Sequence, residues 1–141
     1  MVTQKRVGLA IVFVWFFVGG IAHFALTDFF VLIVPTWVAW PSAVVYVSGV
    51  FELLGAVGVL VARYRRLAGL GLCLLTLAVT PANVYMWLNP EKFPSIPEPL
   101  LAIRLPVQVA LLWCIWWSTR QGGGDHRALR KKSRAFRDGC R

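Results

Sequence analysis

Four long apolar segments fill most of this chain of 141 residues, and no other feature limits its fold as strongly. At about 1.5 Å per residue, roughly twenty helical residues cross a hydrocarbon core of about 30 Å. In lipid, only helices and closed barrels satisfy all their backbone hydrogen bonds, and runs of this length favour helices. The predicted spans are approximately residues 7–26, 43–62, 67–88 and 100–119.

The composition agrees with a membrane protein of one domain. Apolar residues make up 58% of the chain, more than a soluble domain of this length normally carries. We expect residues 1–119 to form an all-α, four-helix membrane domain and residues 120–141 to form a basic, disordered cytoplasmic tail. A signal peptide is the alternative for the first run. No A-x-A cleavage site follows that run, so an uncleaved helix is favoured.

Basic residues set the expected orientation. Lys5 and Arg6 precede the first span, three arginines follow the second, and eight of the fifteen Lys and Arg residues lie in residues 120–141. The first loop has no basic residue, and the third has only Lys92. The positive-inside rule therefore predicts an antiparallel bundle with both termini in the cytoplasm. The net charge of +9 is concentrated in the tail, which favours attraction to anionic lipid over nucleic-acid binding.

Two of the connecting segments are unusual. Residues 29–40 are apolar but too short to span a bilayer, so we expect an interfacial connector, with a functional lid as the alternative. Residues 89–99 contain four prolines. Proline fixes its own backbone and restricts the residue before it, so this loop is predicted to be stiff and extended.

Five polar residues lie inside the apolar spans or at their ends, where lipid should reject them. An ionisable group in hydrocarbon costs roughly 3 kcal/mol or more unless it is paired or faces a cavity. In the predicted orientation they share one depth band in the outer half of the bundle: His23, Glu52, Asn83, Arg104 and Gln108. Ser48 lies four residues before Glu52 on the same helical face and completes the candidate ligand-binding set.

Each of these residues also has a structural interpretation. Arg104 can snorkel to the headgroups, Asn83 and Gln108 can bond neighbouring helices, and His23 can be a packing residue at the interface. A purely structural interpretation is weakest for Glu52, because its side chain cannot easily reach water. We expect Glu52 either to pair with Arg104 or His23 or to be protonated. A structural ion pair and a substrate site both remain open.

Other kinds of chemistry find little support in the sequence. Cys73 and Cys114 are interpreted as small apolar packing residues, and Cys140, in the tail, is expected to be free. There is no C-x-x-C, no metal-ligand spacing, no Gly-rich phosphate loop and no H-E-x-x-H motif. We therefore predict no metal site, no disulfide framework and no covalently bound cofactor.

At these polar residues the chain resembles the DoxX-like family of small membrane proteins, in particular an uncharacterised bacterial branch. The resemblance covers about residues 19–117. It rests on Gly-Gly-Ile-Ala-His23-Phe24, Tyr46-Val-Ser48-Gly49-Val-Phe-Glu52, Pro81-Ala-Asn83-Val-Tyr-Met86 and Arg104-Leu105-Pro106-Val-Gln108. The resemblance implies a four-helix bundle in a bacterial cytoplasmic membrane. Some DoxX relatives are associated with quinone-linked thiosulfate oxidation or with membrane complexes that handle oxidative stress, but this branch has no assigned reaction to carry over.

Three functions follow as expectations. The first is an accessory or ligand-binding subunit that holds a quinone-like or lipid-like molecule in an outer-half pocket, beside a membrane redox partner. The second is an enzyme that transfers protons on a lipid-like substrate, with Glu52 or His23 as acid or base and Arg104 stabilising negative charge. The third is a purely structural role, in which the polar residues hold the helices in register. A transporter would require a homo-oligomer, which nothing in the sequence demands.

Overall fold

A computed structural model describes residues 2–120, which form helices and the turns between them. The tail predicted for residues 120–141 lies outside the described residues from position 121 onwards, and so does Cys140. The α-helices are α1 (Val2–Ala25), α2 (Thr27–Ile33), α3 (Pro41–Leu60), α4 (Arg65–Ala78), α5 (Thr80–Leu88) and α6 (Glu98–Thr119). A short 3-10 helix covers Pro90–Lys92, so the prediction of an extended loop over residues 89–99 is wrong, because proline also fits the first turn of a helix.

Four helical stretches of residues 2–120 are long and apolar enough to cross a membrane, as judged by length and composition. They are Thr3–Ala25, Pro41–Leu60, Arg65–Leu88 and Glu98–Thr119. Each corresponds to one predicted span. They begin two to four residues earlier than the apolar runs because a helix can start in the polar or proline-containing turn that precedes its apolar part.

The third span, predicted as one run over residues 67–88, is divided into α4 and α5 at Val79. Pro81 lies in the first turn of α5, and its ring nitrogen carries no hydrogen for a backbone hydrogen bond. The amides of Ala82 and Asn83 both donate to the carbonyl oxygen of Val79. The proline therefore coincides with a break that the apolar run alone did not predict.

Two apolar clusters hold the helices together. The first cluster joins α1, α3, α4 and α6 and consists of Leu9, Val12, Phe16, Ala56, Val59, Leu72 and Ile115. The second cluster joins α2, α5, the following loop and the start of α6, and consists of Ile33, Met86, Phe93 and Leu101. Burial of these side chains lets α2 and the proline-containing loop pack on the longer helices.

Glycine residues allow α1 and α3 to approach closely. A Cβ atom on Gly20 would lie 3.1 Å from the carbonyl oxygen of Gly49, and one on Gly49 would lie 3.2 Å from the carbonyl oxygen of Gly20. Small residues at a helix crossing let two backbones meet in this way. The crossing lies one turn from His23 and brings the two helices that carry His23 and Glu52 into contact.

Basic side chains satisfy carbonyl groups at helix ends. Arg65 donates from Nε to the carbonyl oxygen of Val59 at 2.9 Å and from Nη2 to that of Leu60 at 3.3 Å. Lys5 donates from Nζ to the carbonyl oxygen of Arg120 at 2.7 Å, just beyond α6. The last carbonyls of a helix have no intrahelical partner and carry partial negative charge, so cations are favoured there.

Candidate functional site

One cavity of about 730 Å³ lies between the two apolar clusters. Phe16 of the first cluster and Ile33 of the second both line it. All six residues predicted from the sequence as candidate ligand-binding residues line the same cavity: His23, Ser48, Glu52, Asn83, Arg104 and Gln108. The remaining walls are mostly aliphatic and aromatic, so the cavity combines a large apolar volume with a small polar set.

His23 and Glu52 face each other across the contact between α1 and α3. Nε2 of His23 lies 3.6 Å from Oε1 of Glu52, and the imidazole stacks on Phe30 with ring centroids 4.1 Å apart. Nδ1 of His23 lies 2.9 Å from the carbonyl oxygen of Val45. A carbonyl oxygen only accepts, so Nδ1 carries a hydrogen and donates it, which turns Nε2 towards Glu52.

Of the two partners expected for Glu52, the structure places His23 beside it. Within residues 2–120, the Glu52 carboxyl group contacts the His23 imidazole and makes no ion pair with Arg104. Arg104 instead donates from Nε to Oδ1 of Asn83 at 3.2 Å. Glu52 and Arg104 therefore contact different residues of the cavity wall.

Asn83 and Gln108 form a connected network between α5 and α6. Nδ2 of Asn83 donates to Oε1 of Gln108 at 3.0 Å. Nε2 of Gln108 donates to Oγ1 of Thr80 at 2.7 Å and to the carbonyl oxygen of Thr76. Every polar atom of the Gln108 amide thus has a partner, and the network ties α6 to the break between α4 and α5.

The other four candidate residues keep polar groups that no described residue satisfies. Within residues 2–120, no hydrogen bond within the usual distance reaches the Ser48 hydroxyl, either Glu52 carboxyl oxygen, Nε2 of His23 or the terminal nitrogens of Arg104. Ser48 is only 8% exposed. No fully buried side-chain nitrogen or oxygen in this part of the chain lacks a partner, so these free groups are open to the cavity.

The sequence interpretation missed several residues of the site. Thr76 and Thr80 anchor Gln108, and Phe30 stacks on His23. Thr76, Thr80 and Asn83 are spaced by four and three residues, a pattern typical of one helical face, so this signal was present in the sequence. Phe30 gave no such signal because an aromatic residue in an apolar segment is unremarkable.

The first connector contributes directly to the cavity wall. Residues 29–40, expected to be an interfacial connector, include the end of α2 and supply Phe30, Ile33, Pro35 and Trp37 to the lining. Ile33 is buried in the second apolar cluster. The segment therefore forms part of the cavity wall, with Ile33 buried and Trp37 exposed.

The two cysteines of residues 2–120 lie apart from the cavity lining. Cys73 and Cys114 are free thiols, half-buried, and pack against the first apolar cluster. Among residues 2–120, no three His, Cys, Asp or Glu side chains come close enough together to hold a metal ion. In the described part of the chain, the chemistry is therefore concentrated in the carboxyl, imidazole, hydroxyl and guanidinium groups of the cavity.

Over residues 2–120, fold and site together define a small helical protein in which four apolar helices surround a cavity with a polar-lined region. The chain belongs to a family described as a domain of unknown function, DUF8561, which matches residues 10–119. The match spans the four apolar helices almost completely. No curated protein and no solved structure matches the chain significantly. The family description names no activity, so the DoxX-like resemblance stays a prediction.

Proposed function

We propose that this chain is a multi-pass membrane protein that binds a quinone-like or lipid-like molecule in its cavity, as an accessory or ligand-binding subunit. Four helices of sufficient length and apolar character support the membrane location. Ligand cavities of several hundred Å³ with mostly apolar walls and a few convergent polar groups are typical of binding sites for small amphipathic molecules. The cavity of about 730 Å³ has this character.

The proposed orientation is an antiparallel bundle in the bacterial cytoplasmic membrane with both termini in the cytoplasm. Gly55 of α3 lies against Leu72 of α4, and Gly58 lies against Ala68. Residue numbers rise along α3 as they fall along α4, which supports opposite directions for the two helices. The hydrogen bond from Lys5 to the carbonyl oxygen of Arg120 supports a common side for the start of α1 and the end of α6. The basic loop after α3 agrees with that side being cytoplasmic.

The single observation that carries the binding proposal is the set of free polar groups open to the cavity. The Arg104 guanidinium can donate to an oxygen on a ligand head, and the Ser48 hydroxyl can donate or accept. The Glu52 carboxyl can accept from a ligand hydroxyl. A head group with both carbonyl or anionic oxygens and a hydroxyl would satisfy these groups, while an apolar body would fill the remaining volume.

Partners follow from the resemblance and from the charge distribution. A DoxX-like chain without C-x-x-C would act beside a membrane redox partner, since it carries no redox-active thiol pair of its own. The basic tail, which lies outside the described residues, would attract anionic lipid on the cytoplasmic surface. A homo-oligomer is an alternative assembly.

The test is ligand binding by the full chain in lipid nanodiscs. Native mass spectrometry first identifies any molecule that copurifies, and a benzoquinone with a decyl tail is then titrated while tryptophan fluorescence is followed. Trp15 and Trp37 line the cavity and would be quenched by a bound quinone. Glu52→Gln should weaken binding about tenfold, the effect of one charge-assisted hydrogen bond.

Glu98→Gln is the matched control, because Glu98 begins α6, is exposed and does not line the cavity. The control should bind the quinone as the unchanged protein does. If no amphipathic molecule copurifies and neither quinones nor lipids bind, the proposal is wrong. Equal binding by both variants would show that Glu52 does not contribute to ligand binding.

An enzyme that performs acid–base chemistry on a lipid-like substrate is a second candidate, favoured by the contact between His23 and Glu52. Glu52 would take a proton from the substrate and return it, His23 would hold the carboxyl group in place, and Arg104 would stabilise developing negative charge. Incubation with a panel of quinones and lipids in heavy water, followed by mass spectrometry, should then reveal deuterium exchange or product. Ligand binding without deuterium exchange or product would support the accessory role instead.

A further inference from the structure

Some residues that line the cavity also lie on the outer surface of the bundle. On α1, Val14, Trp15 and Val18 line the cavity and are 56%, 52% and 59% exposed. On α6, Ile103 lines the cavity and is 53% exposed. A side chain that lines a cavity and keeps more than half of its surface accessible stands at the mouth of that cavity.

The mouth lies between α1 and α6, because both helices carry exposed residues that line the cavity. The two helices meet at the other end, where a Cβ atom on Gly8 would lie 3.0 Å from Cβ of Ser118 and where Lys5 bonds the carbonyl oxygen of Arg120. Residues 14–18 lie near the middle of the span Thr3–Ala25, and residues 103–107 lie five to nine residues inside the start of the span Glu98–Thr119. In the proposed membrane orientation, the mouth therefore faces hydrocarbon rather than water.

A second opening lies at the end of the cavity that would face water. Trp37 of the first connector lines the cavity and is 76% exposed. Ile33, buried with Met86 in the second apolar cluster, holds this connector on α5. The opening between α1 and α6 presents four apolar lining residues that are more than half exposed, against one at the connector, and a molecule dissolved in the bilayer would meet them directly.

We infer that the ligand enters sideways from the bilayer through the gap between α1 and α6. Its apolar tail stays in this gap, against Val18 and Val107, while its head lies among His23, Glu52 and Arg104. The inference rests on the proposed function and narrows the ligand to a tailed amphiphile, a prenyl- or alkyl-quinone or a fatty-acyl lipid. A compact, water-soluble head group alone would not use this route.

Photo-crosslinking of the full chain in phosphatidylcholine nanodiscs tests the route. Two compounds carry the same diazirine-bearing alkyl tail, one on a benzoquinone and one on a carboxylate. Adducts are mapped by peptide mass spectrometry, and only those that an excess of the unlabelled compound suppresses are counted. Competed adducts should lie in residues 14–18 and 103–107, and the head group that gives them identifies the ligand chemistry.

A pair of α6 variants supplies the control. Val107 lines the cavity, whereas Val109 is exposed and does not line it. Val107→Phe should reduce the competed adducts about tenfold by filling the gap, and Val109→Phe should leave them unchanged. If the competed adducts lie in residues 34–38 instead, the lateral route is wrong while the proposed binding function stands. If neither compound gives competed adducts in the cavity lining, the binding function itself is wrong.

Discussion

A Cβ atom on Gly19 would lie 2.6 Å from Oε2 of Glu52, so the absence of a side chain at Gly19 leaves room for the Glu52 carboxyl group. This distance is shorter than carbon and oxygen atoms tolerate without a bond. The obstructed atom is the end of a flexible side chain, and it can move without displacing a helix. A substitution at Gly19 therefore offers a way to move the carboxyl group while the fold is kept.

Gly19→Ala should weaken ligand binding with little loss of thermal stability. Alanine favours a helix over glycine by about 1 kcal/mol, which offsets the cost of rotating Glu52. Gly71→Ala is the matched control, because a Cβ atom at Gly71 would meet nothing within 4 Å. Quinone titration measures the binding affinity of both variants, and a thermal melt measures their stability. A large drop in melting temperature for Gly19→Ala alone would show that the position supports packing rather than the site.

The spans and the candidate residues could be predicted because they depend on position along the chain. Apolar runs of about twenty residues indicate helices, and a carboxyl or imidazole group inside such a run carries a high cost wherever the helix lies. The structure places all six predicted residues around one cavity. Their roles in binding stay predictions.

Partner choice and cavity shape could not be predicted, because they depend on how each helix is rotated and tilted. Glu52 had two candidate partners in the sequence, and only the crossing at Gly20 and Gly49 brings it to His23. The apolar run continues through the break at Val79, and only Pro81 marks it in the sequence. The cavity walls are built from apolar residues, which carry no positional signal within an apolar sequence.

His23 and Glu52 should be energetically coupled, whereas Glu52 and Arg104 should not. The first two residues are in contact and should give a coupling energy of about 0.5–3 kcal/mol in an alanine double-mutant cycle. The second two share no ion pair, so their effects should add to within about 0.5 kcal/mol. Reversible unfolding in mixed micelles supplies the free energies. Strong coupling between Glu52 and Arg104 would mean that the two side chains meet, contrary to the arrangement described.

Gln108→Leu should destabilise the bundle by about 0.6–2 kcal/mol, the range that double-mutant cycles and model peptides give for side-chain hydrogen bonds between membrane helices. The substitution keeps the volume but removes the partner of Asn83 and of the Thr76 carbonyl oxygen. Val109→Leu changes a neighbouring, exposed position and should be nearly neutral. The measurement is again the free energy of unfolding. Equal effects of the two variants would show that the Gln108 network adds no stability.

Arg65 and Arg66 are adjacent arginines, and only Arg65 is expected to contribute to stability. Arg65 satisfies the carbonyl groups of Val59 and Leu60 at the end of α3, while Arg66 is exposed. Arg65→Ala should therefore cost about 1 kcal/mol of unfolding free energy, and Arg66→Ala only a few tenths. Each variant removes one positive charge from the first turn of α4, so any effect on membrane orientation is shared. A larger loss for Arg66→Ala would show that charge at this end of α4, rather than the bond to α3, determines stability.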